Sequence, residues 1–427
     1  MRVERILVRQ SDANYRAIKS ACCKARALYN VANYITRQSF FAKNLKKHSA
    51  VDKELKQSQH ECYRVMPSSA AQRTIQVLGD NWKAYFAASK EYARFPSKFE
   101  KRPKPPKYKK AASTFYIGRN GFSVKNGELC MPKLLGMKPI KITCCAFQAV
   151  NSKAGSATTI QDVRLVPTGN AFFIELVYKP KPIPKVLLDK SNTLGIDLGI
   201  NNLATIASNQ PDVSPVLING KMIKSVNAKY NKDCADLRSR GKHSHLKSKS
   251  VKRLCWINDY LHKVSRFIIN HALMTNSGTI VVGHNPEWKK AINIGKVNNQ
   301  KFVSIPHARL IEMLQYKGEE IGLNVIVREE SYTSKASSLD LDVIPNYGDS
   351  GDKIFSGKRR KRGLYALADG RMLNADVNGA INILRKEIGD DFVKNLADKG
   401  CVFQPKQVNV LALECGLRVA EAQSIAA

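Results

Sequence analysis

Hydrolysis of a phosphodiester by metal ions needs several acidic side chains converging from separate elements, because each Mg²⁺ takes oxygen ligands and keeps positions for water and phosphate. Three stretches of this chain offer such acids. In LGIDLGINNLAT, residues 194–205, Asp197 stands among small and apolar neighbours on a predicted strand, a costly place for a carboxylate with neither partner nor metal. Gly195 and Gly199 flank it and allow backbone or phosphate to come close. In NADVNGAINIL, residues 374–384, Asp376 falls where a helix should begin, with Ile381 and Leu384 on the apolar side. Alone it reads as an ordinary cap or first-turn acid; paired with the Asp197 motif it reads as a second metal ligand. The third place is NVIVREESYTSK, residues 324–335, where Glu329 and Glu330 both stand where a predicted strand runs out into a loop. A solvated pair at a strand end is the plain alternative for these two.

The elements that must position these acids alternate. A strand pair over 194–207, a basic helical stretch over 221–275, a strand TIVVG at 279–283, a helix over 306–322, a strand over 323–328 and a helix over 376–386 indicate an α/β layer fold. The chain ahead of them has a different texture. After a short opening strand, Ile18, Cys22, Ala25, Tyr29, Ala32 and Ile35 recur three or four apart, as do Ala71, Ile75, Leu78, Trp82 and Tyr85, so residues 12–97 are predicted to be largely helical. KFEKRPKPPKYKK, residues 98–110, carries Pro103, Pro105 and Pro106 among seven basic side chains and suits an extended, solvated boundary segment. Residues 113–180 then give short β-type runs, TFYIG, IKITCCAF, TTIQDVRLV and AFFIELVYK, between Gly, Asn and Pro turns, which predicts a small barrel or sandwich. PKPIPK links it to the α/β region.

Composition narrows the partner. The 427 residues suffice for two or three domains, and 70 Lys plus Arg against 35 Asp plus Glu leave a formal charge of +35, a field that attracts a polyanion. Nucleic acid fits this better than a membrane surface, because the basic residues are spread along the chain without a basic amphipathic anchor. Arg238, Arg240, Lys247, Lys249, Lys252 and Arg253 in the basic helical stretch, and Lys104 and Lys107 in the proline-rich segment, are the candidate phosphate contacts; a solvated helix face is the plain alternative for the first six. MRVERILVRQ lacks the apolar run of a signal peptide, and no stretch of about 18 apolar residues occurs, so a soluble, cytoplasmic protein is expected. The ten cysteines form no CxxC pair and read as small buried hydrophobes in a reducing compartment.

GIDLGINNLAT, IPHARLIEMLQYKGEEIGLNVIV, ESYTSK and NADVNGAINIL occur in the order and approximate spacing of the TnpB (OrfB) proteins of insertion sequences, and the chain resembles that family over roughly residues 190–390. The family is related to the type V CRISPR effectors and to the Fanzor proteins. The resemblance implies a RuvC-like nuclease domain of RNase H fold at 190–390 with a basic helical insert at 221–275. Ahead of it would stand a wedge-type β-barrel, its first strand at 1–11 and the remainder at 113–185. A helical recognition domain at 12–97 would be inserted in the barrel, with the basic linker at 98–112, and 391–427 would form a C-terminal tail. It further implies Mg²⁺, or Mn²⁺ in its place, a bound guide RNA and a double-stranded DNA target read by base pairing beside a short flanking motif, in a prokaryotic, nucleoid-associated setting.

Two departures from the family matter. Typical members carry their second acid in the strand matching TIVVG, where this chain has Gly283; some relatives instead carry a glutamate three residues before a Thr-Ser pair, the place of Glu330 before Thr333 and Ser334. The implied set is Asp197, Glu330 and Asp376. Glu329 is expected on the opposite face of its strand from Glu330, unless a bulge at the strand end exchanges the two, and that strand is expected to run beside the one carrying Asp197. The family's zinc ribbon should lie before Asp376, but Ser337 and Asp340 replace its first cysteine pair and residues 331–400 contain no cysteine, so no structural zinc is expected; Asp340, Asp342, Asp349 and Asp352 read as a polar loop. The alternatives to a cutting enzyme are an RNA-guided DNA-binding protein without nuclease activity, a compact type V effector with the same chemistry, and a basic structural protein of RNA.

Overall fold

The computed structural model describes residues 1–142, 160–179, 184–285, 303–346, 348–349, 353–361 and 363–412. The chain divides into two compact units, Met1–Lys181 with His243–Val251, and Pro182–Lys242 with Lys252–Ala427.

In the first unit β1 (Arg2–Val8) leads into α1 (Tyr15–Phe41), α2 (His48–Gln57), α3 (Glu61–Arg64) and α4 (Ser68–Arg94). The stripes seen in the sequence are the packed faces: Ile18, Cys22, Ala25, Tyr29 and Ala32 of α1 and Ala71, Ile75, Leu78 and Trp82 of α4 are all buried in one core. The next strands are β2 (Phe115–Gly118), β3 (Ser123–Lys125), β4 (Glu128–Cys130), β5 (Ile140–Lys141), β6 (Ile160–Thr168) and β7 (Ala171–Tyr178). They form a four-stranded antiparallel sheet in the order β1-β7-β6-β2 and a three-stranded sheet β3-β4-β5. Most of the expected strand IKITCCAF lies outside the described residues, and no closed barrel is formed by the described strands. Cys22 and Cys234 are buried, but Cys23, Cys62, Cys130, Cys255 and Cys401 are only half-buried, so the reading of the cysteines as core residues holds for two of the described seven.

The second unit is built on β8 (Asp189–Asp197), β9 (Asn202–Ser208), β10 (Val216–Asn219), β11 (Ser277–Gly283), β12 (Asn324–Arg328) and β16 (Lys406–Val408), with the short antiparallel strands β13 (Lys358–Lys361), β14 (Leu364–Ala366) and β15 (Met372–Asn374) forming a separate sheet. The main sheet is six-stranded in the order β12-β11-β8-β9-β10-β16. Strands β12, β11 and β8 run parallel, and β9 is antiparallel to both its neighbours. The basic stretch is two helices, α5 (Lys221–Ser239) and α6 (His243–Met274); α7 (His307–Ile321), α8 (Ala375–Ile388) and α9 (Val393–Lys399) complete the unit. Side chains alternate along each strand. Leu194, Ile196, Ile280 and Val282 point into one core with Tyr260, Leu261 and Val264 of α6 and Leu310 and Leu314 of α7. Ala207 and Leu217 join the opposite core, under Val377, Ala380, Ile381 and Leu384 of α8.

Candidate active site

The face of the sheet that carries α8 is where the acids meet. Because Leu194 and Ile196 face α6 and α7, Gly195 and Asp197 face α8, and the helix lies so close that a Cβ on Gly195 would stand 2.5 Å from the Ala380 carbonyl oxygen. Gly195 thus serves helix packing rather than phosphate. Asp197 ends β8 directly under α8, where a Cβ on Gly379 would sit 2.9 Å from its Oδ2. On the neighbouring strand Ile196 pairs with Val282, so Gly283, one residue on, presents the same face beside Asp197.

Glu330 fills the space that Gly283 leaves. A Cβ on Gly283 would lie 2.6 Å from Glu330 Oε2 and would also collide with Ile383 of α8. Strand β12 pairs with β11 and not with β8, so the expectation that the Glu330 strand runs beside the Asp197 strand is corrected: β11 lies between them, and Glu330 reaches over its glycine. The expectation that Glu329 turns to the opposite face is corrected as well. β12 ends at Arg328, so strand alternation no longer governs Glu329 and Glu330, and Glu329 Oε2 accepts a hydrogen bond of 2.7 Å from Lys386 Nζ on α8.

The NADVNGAINIL helix assembles the rest. Asn374 caps α8, its Oδ1 accepting from the N–H groups of Asp376 and Val377 at 3.0 and 3.2 Å, which leaves Asp376 in the first turn with its carboxylate free to turn outward. Asp376 Oδ2 accepts from Asn202 Nδ2 at 2.7 Å, and Arg359 Nη2 of β13 lies 3.8 Å from its Oδ1. Further along the helix, the fully buried Asn378 and Asn382 both donate to the Ala336 carbonyl, at 2.8 and 2.7 Å, and Asn382 also donates to that of Thr333 at 2.8 Å. They clamp the ESYTSK loop. Glu330 is further fixed at its backbone, its N–H donating to Asn285 Oδ1 at 3.1 Å and its carbonyl accepting from Thr333 Oγ1 at 2.9 Å.

The electrostatics separate the two glutamates. Burial, then the neighbouring Asp197 and Glu329 charges, push Glu330 up to about 8, with Lys386 opposing. Burial, then Asp376, push Asp197 up to about 7, with Arg359 opposing. Burial would also raise Glu329, but its hydrogen bonds to Lys386 and Ser331 outweigh this and hold it below the usual carboxylate range. Glu330 Oε2 is buried without a hydrogen-bond partner, an arrangement that costs free energy unless a proton or a cation answers it. Like charges gathered in a half-buried spot with an unanswered oxygen fit divalent cations. Among the described residues, however, no three His, Cys, Asp or Glu side chains stand close enough to hold one ion. The acids meet in pairs, with Asp197 the member common to Asp376 and Glu330.

The other expected residues lie apart from this site. Arg238, Arg240, Lys247, Lys249 and Lys252 are exposed, and Arg240 is paired with Asp236 at 2.8 Å. Arg253 differs from them: Nε donates to Asn227 Oδ1 at 2.7 Å, Nη2 donates to the Ser304 carbonyl at 3.0 Å, and its guanidinium lies 5.0 Å from the Tyr230 ring centroid, so it ties α6 to its surroundings. Lys104 and Lys107 are exposed on the proline-rich segment. Ser337 and Asp340, where the first ribbon cysteines would be, are hydrogen-bonded to one another; Asp340 also accepts from the Ala368 N–H, Asp342 is taken up by Ser337 and Ser356, and Asp349 by the Asn346 N–H, while Asp352 lies outside the described residues. Sequence reasoning missed Asn202, Asn285, Asn378, Asn382 and Arg359. Asn202, Asn378 and Asn382 were visible as uncharged polar residues inside apolar motifs; Asn285 lies outside the motifs, and Arg359 had no signal within the run KRRK.

The OrfB_IS605 family profile, described as a probable transposase, matches residues 176–289, and the Cas12f1-like TNB domain profile matches residues 307–383. Over these two stretches the chain is similar to the OrfB-type transposases and to the Cas12f1-type effectors. One curated protein, a CRISPR-associated endodeoxyribonuclease Cas12f1 of Sulfoacidibacillus thermotolerans, is 25% identical over 228 residues, which is 50% of this TnpB-related chain and 50% of that protein. Two solved structures are also similar. A Cas12f1–sgRNA–target DNA complex aligns at 14% identity and a TM-score of 0.35 over 90% of this chain and 99% of its own, and a CRISPR-Cas12f ternary complex at 14% and 0.33 over 86% and 80%. A likeness that loose assigns no contact. Among the described residues no helix is long and apolar enough to cross a membrane.

Proposed function

We propose that this TnpB relative is an RNA-guided DNA endonuclease that hydrolyses target DNA at Asp197, Glu330 and Asp376 within a RuvC-like domain of RNase H type, spanning roughly residues 190–390. The observation that carries the reading is Glu330: a buried carboxylate with an unanswered oxygen, standing over a glycine in the strand next to Asp197. A structural acid would be paired, as Glu329 is with Lys386. The mixed sheet with α8 on one face and α6 and α7 on the other supports the RNase H-type layer.

Asp197, Glu330 and Asp376 would hold divalent ions of the Mg²⁺ or Mn²⁺ kind, Asp197 facing both of the others. When bound, such ions supply charge against the leaving oxygen and make a hydroxide nucleophile from water near neutral pH. The chain's own part is to fix the acids. Asn378 and Asn382 hold the Glu330 loop, Gly379 lets Asp197 approach α8, and Asn202 orients Asp376. The formal charge of +35 suits a guide RNA and a DNA target as partners, with the exposed residues among 238–252 and Lys104 and Lys107 as phosphate contacts. The helical residues 12–97, the linker 98–112 and the strands on either side would be the recognition and wedge parts. A compact type V effector would use the same site.

A guided-cleavage assay tests the proposal: the protein, with the RNA that copurifies with it, should cut matching double-stranded DNA in Mg²⁺ and stop with EDTA. Asp197→Ala and Asp376→Ala should each abolish cutting while retaining RNA. A parent that holds RNA and binds matched DNA yet never cuts would establish the binding-protein alternative.

A further inference from the structure

The proline-rich segment is tied down more firmly than a linker needs. Arg26, Asn30, Asn33 and Arg37 lie four, three and four residues apart on one face of α1. Arg26 donates to the Lys110 carbonyl at 3.2 Å, Asn30 donates to the Lys109 carbonyl and accepts from its N–H at 3.0 and 2.8 Å, and Asn33 and Arg37 both donate to the Pro106 carbonyl at 3.0 Å. Four side chains thus hold the backbone of a segment whose prolines already restrict it to extended conformations. What this presents is its side chains.

Lys104, Pro106 and Lys107 form one wall of a groove of about 380 Å³, and Asn81 and Tyr85 of α4 stand in the other wall, with Tyr29 of α1 also lining it. Neither lysine is in an ion pair with a described residue, although both are exposed beside a rigid surface. Tyr85 is half-buried and fixed in orientation, set edge-on to Trp82 and Phe40 with interplanar angles of 88° and 86°. Asn81 Nδ2 donates to the Tyr29 hydroxyl at 3.0 Å, which leaves Asn81 Oδ1 as an acceptor. Alongside, the Arg37 guanidinium lies 5.6 Å from the ring centroid of Phe41 and 5.7 Å from that of Tyr108, and those rings are 62% and 46% exposed.

We propose that this groove binds an unpaired nucleotide of a nucleic-acid strand, its base against Tyr85, its flanking phosphates on Lys104 and Lys107, and the next bases on the Phe41–Arg37–Tyr108 surface. Fixed aromatic faces interleaved with cations are what an unpaired strand needs, because each base offers a π-face and each phosphate a charge. In a duplex those base faces are already stacked, so the groove selects single strands. RNA and DNA share this chemistry. The site uses none of the acids at 197, 330 and 376, so it stands or falls separately from the nuclease reading.

The test uses the full chain with 10-nucleotide single-stranded RNA and DNA carrying 4-thiouridine or 4-thiothymidine, and a duplex of the same sequence. Photocrosslinks should map to residues 81–108 and to residues 29–41 of α1, the two stretches that line the groove and its aromatic flank. Tyr85→Leu should weaken single-strand binding about tenfold, with Tyr85→Phe restoring it and duplex binding unchanged. The double variant Lys104→Gln/Lys107→Gln should flatten the log-log salt slope for single strands by about 1.4. The tighter of the RNA and DNA arms identifies the natural strand. Parent-like single-strand binding by a Tyr85→Leu protein that melts like the parent would overturn the proposal. So would crosslinks confined to other residues, or equal losses for single strand and duplex.

Discussion

Glu330 Oε2 lies 2.6 Å from the point where a Cβ on Gly283 would stand. The glycine and the glutamate therefore answer one another: the strand residue that could have carried an acid gives up its side chain, and an acid from the following strand's end occupies the space. Gly283→Ala puts a methyl group against both Glu330 and Ile383. It should destabilise the protein by about 1–3 kcal/mol and reduce cutting at least tenfold, read by thermal melting and guided cleavage together. An alanine variant that cuts at the parent rate would mean that Glu330 has room to spare and is not placed by the glycine.

The raised acids give the fold a signature against pH. Glu330 is pushed up to about 8 from an ordinary 4.5, so between those values the folded state holds a proton that the unfolded chain has lost. Stability must then fall as pH rises through that window in metal-free buffer, with Asp197, pushed up to about 7, contributing in the same direction. Glu330→Gln removes the charge at every pH. Denaturant unfolding should show the variant gaining on the parent from about pH 5 to about pH 8, and Mg²⁺ should stabilise the parent far more than the variant. Parallel pH profiles would contradict the burial of an unanswered carboxylate.

The sequence stripes of α1 and α4 and the alternation along β8 and β11 were legible because each reflects one buried face. Asp197 was legible as an acid in apolar surroundings, and Asp376, which alone reads as a first-turn acid, only through its pairing with the Asp197 motif. The choice between Glu329 and Glu330 was not, since it depends on Lys386, 57 residues beyond Glu329 and one helix away. Sheet order was equally hidden: nothing local to NVIVREE says that β11 lies between β12 and β8. Arg253, which looked like a phosphate contact, was claimed instead by Asn227 and Ser304, partners that periodicity cannot reveal.

Asn382 offers a test of the loop clamp. It donates to the carbonyls of both Thr333 and Ala336 while fully buried. Asn382→Ala takes the side-chain donor from the Thr333 carbonyl, while that of Ala336 keeps Asn378, and should cost about 1–3 kcal/mol. Because the same loop holds Glu330, cutting should fall more than melting does. RNA binding should stay within about twofold of the parent by filter binding, since the RNA would be held by basic side chains outside the loop. Loss of RNA binding in step with cutting would show that the asparagine acts on the whole fold and not on the acid.

Whether Glu330 is the second acid is decided by guided cleavage of matched double-stranded DNA in Mg²⁺ by Glu330→Ala and Glu329→Ala, side by side. Glu329 is committed to Lys386 and Ser331, whereas Glu330 Oε2 has no partner and adjoins Asp197. Glu330→Ala should not cut, while Glu329→Ala should keep most of the parent rate and both should retain guide RNA. Undiminished cutting by Glu330→Ala, or loss confined to Glu329→Ala, would contradict this assignment.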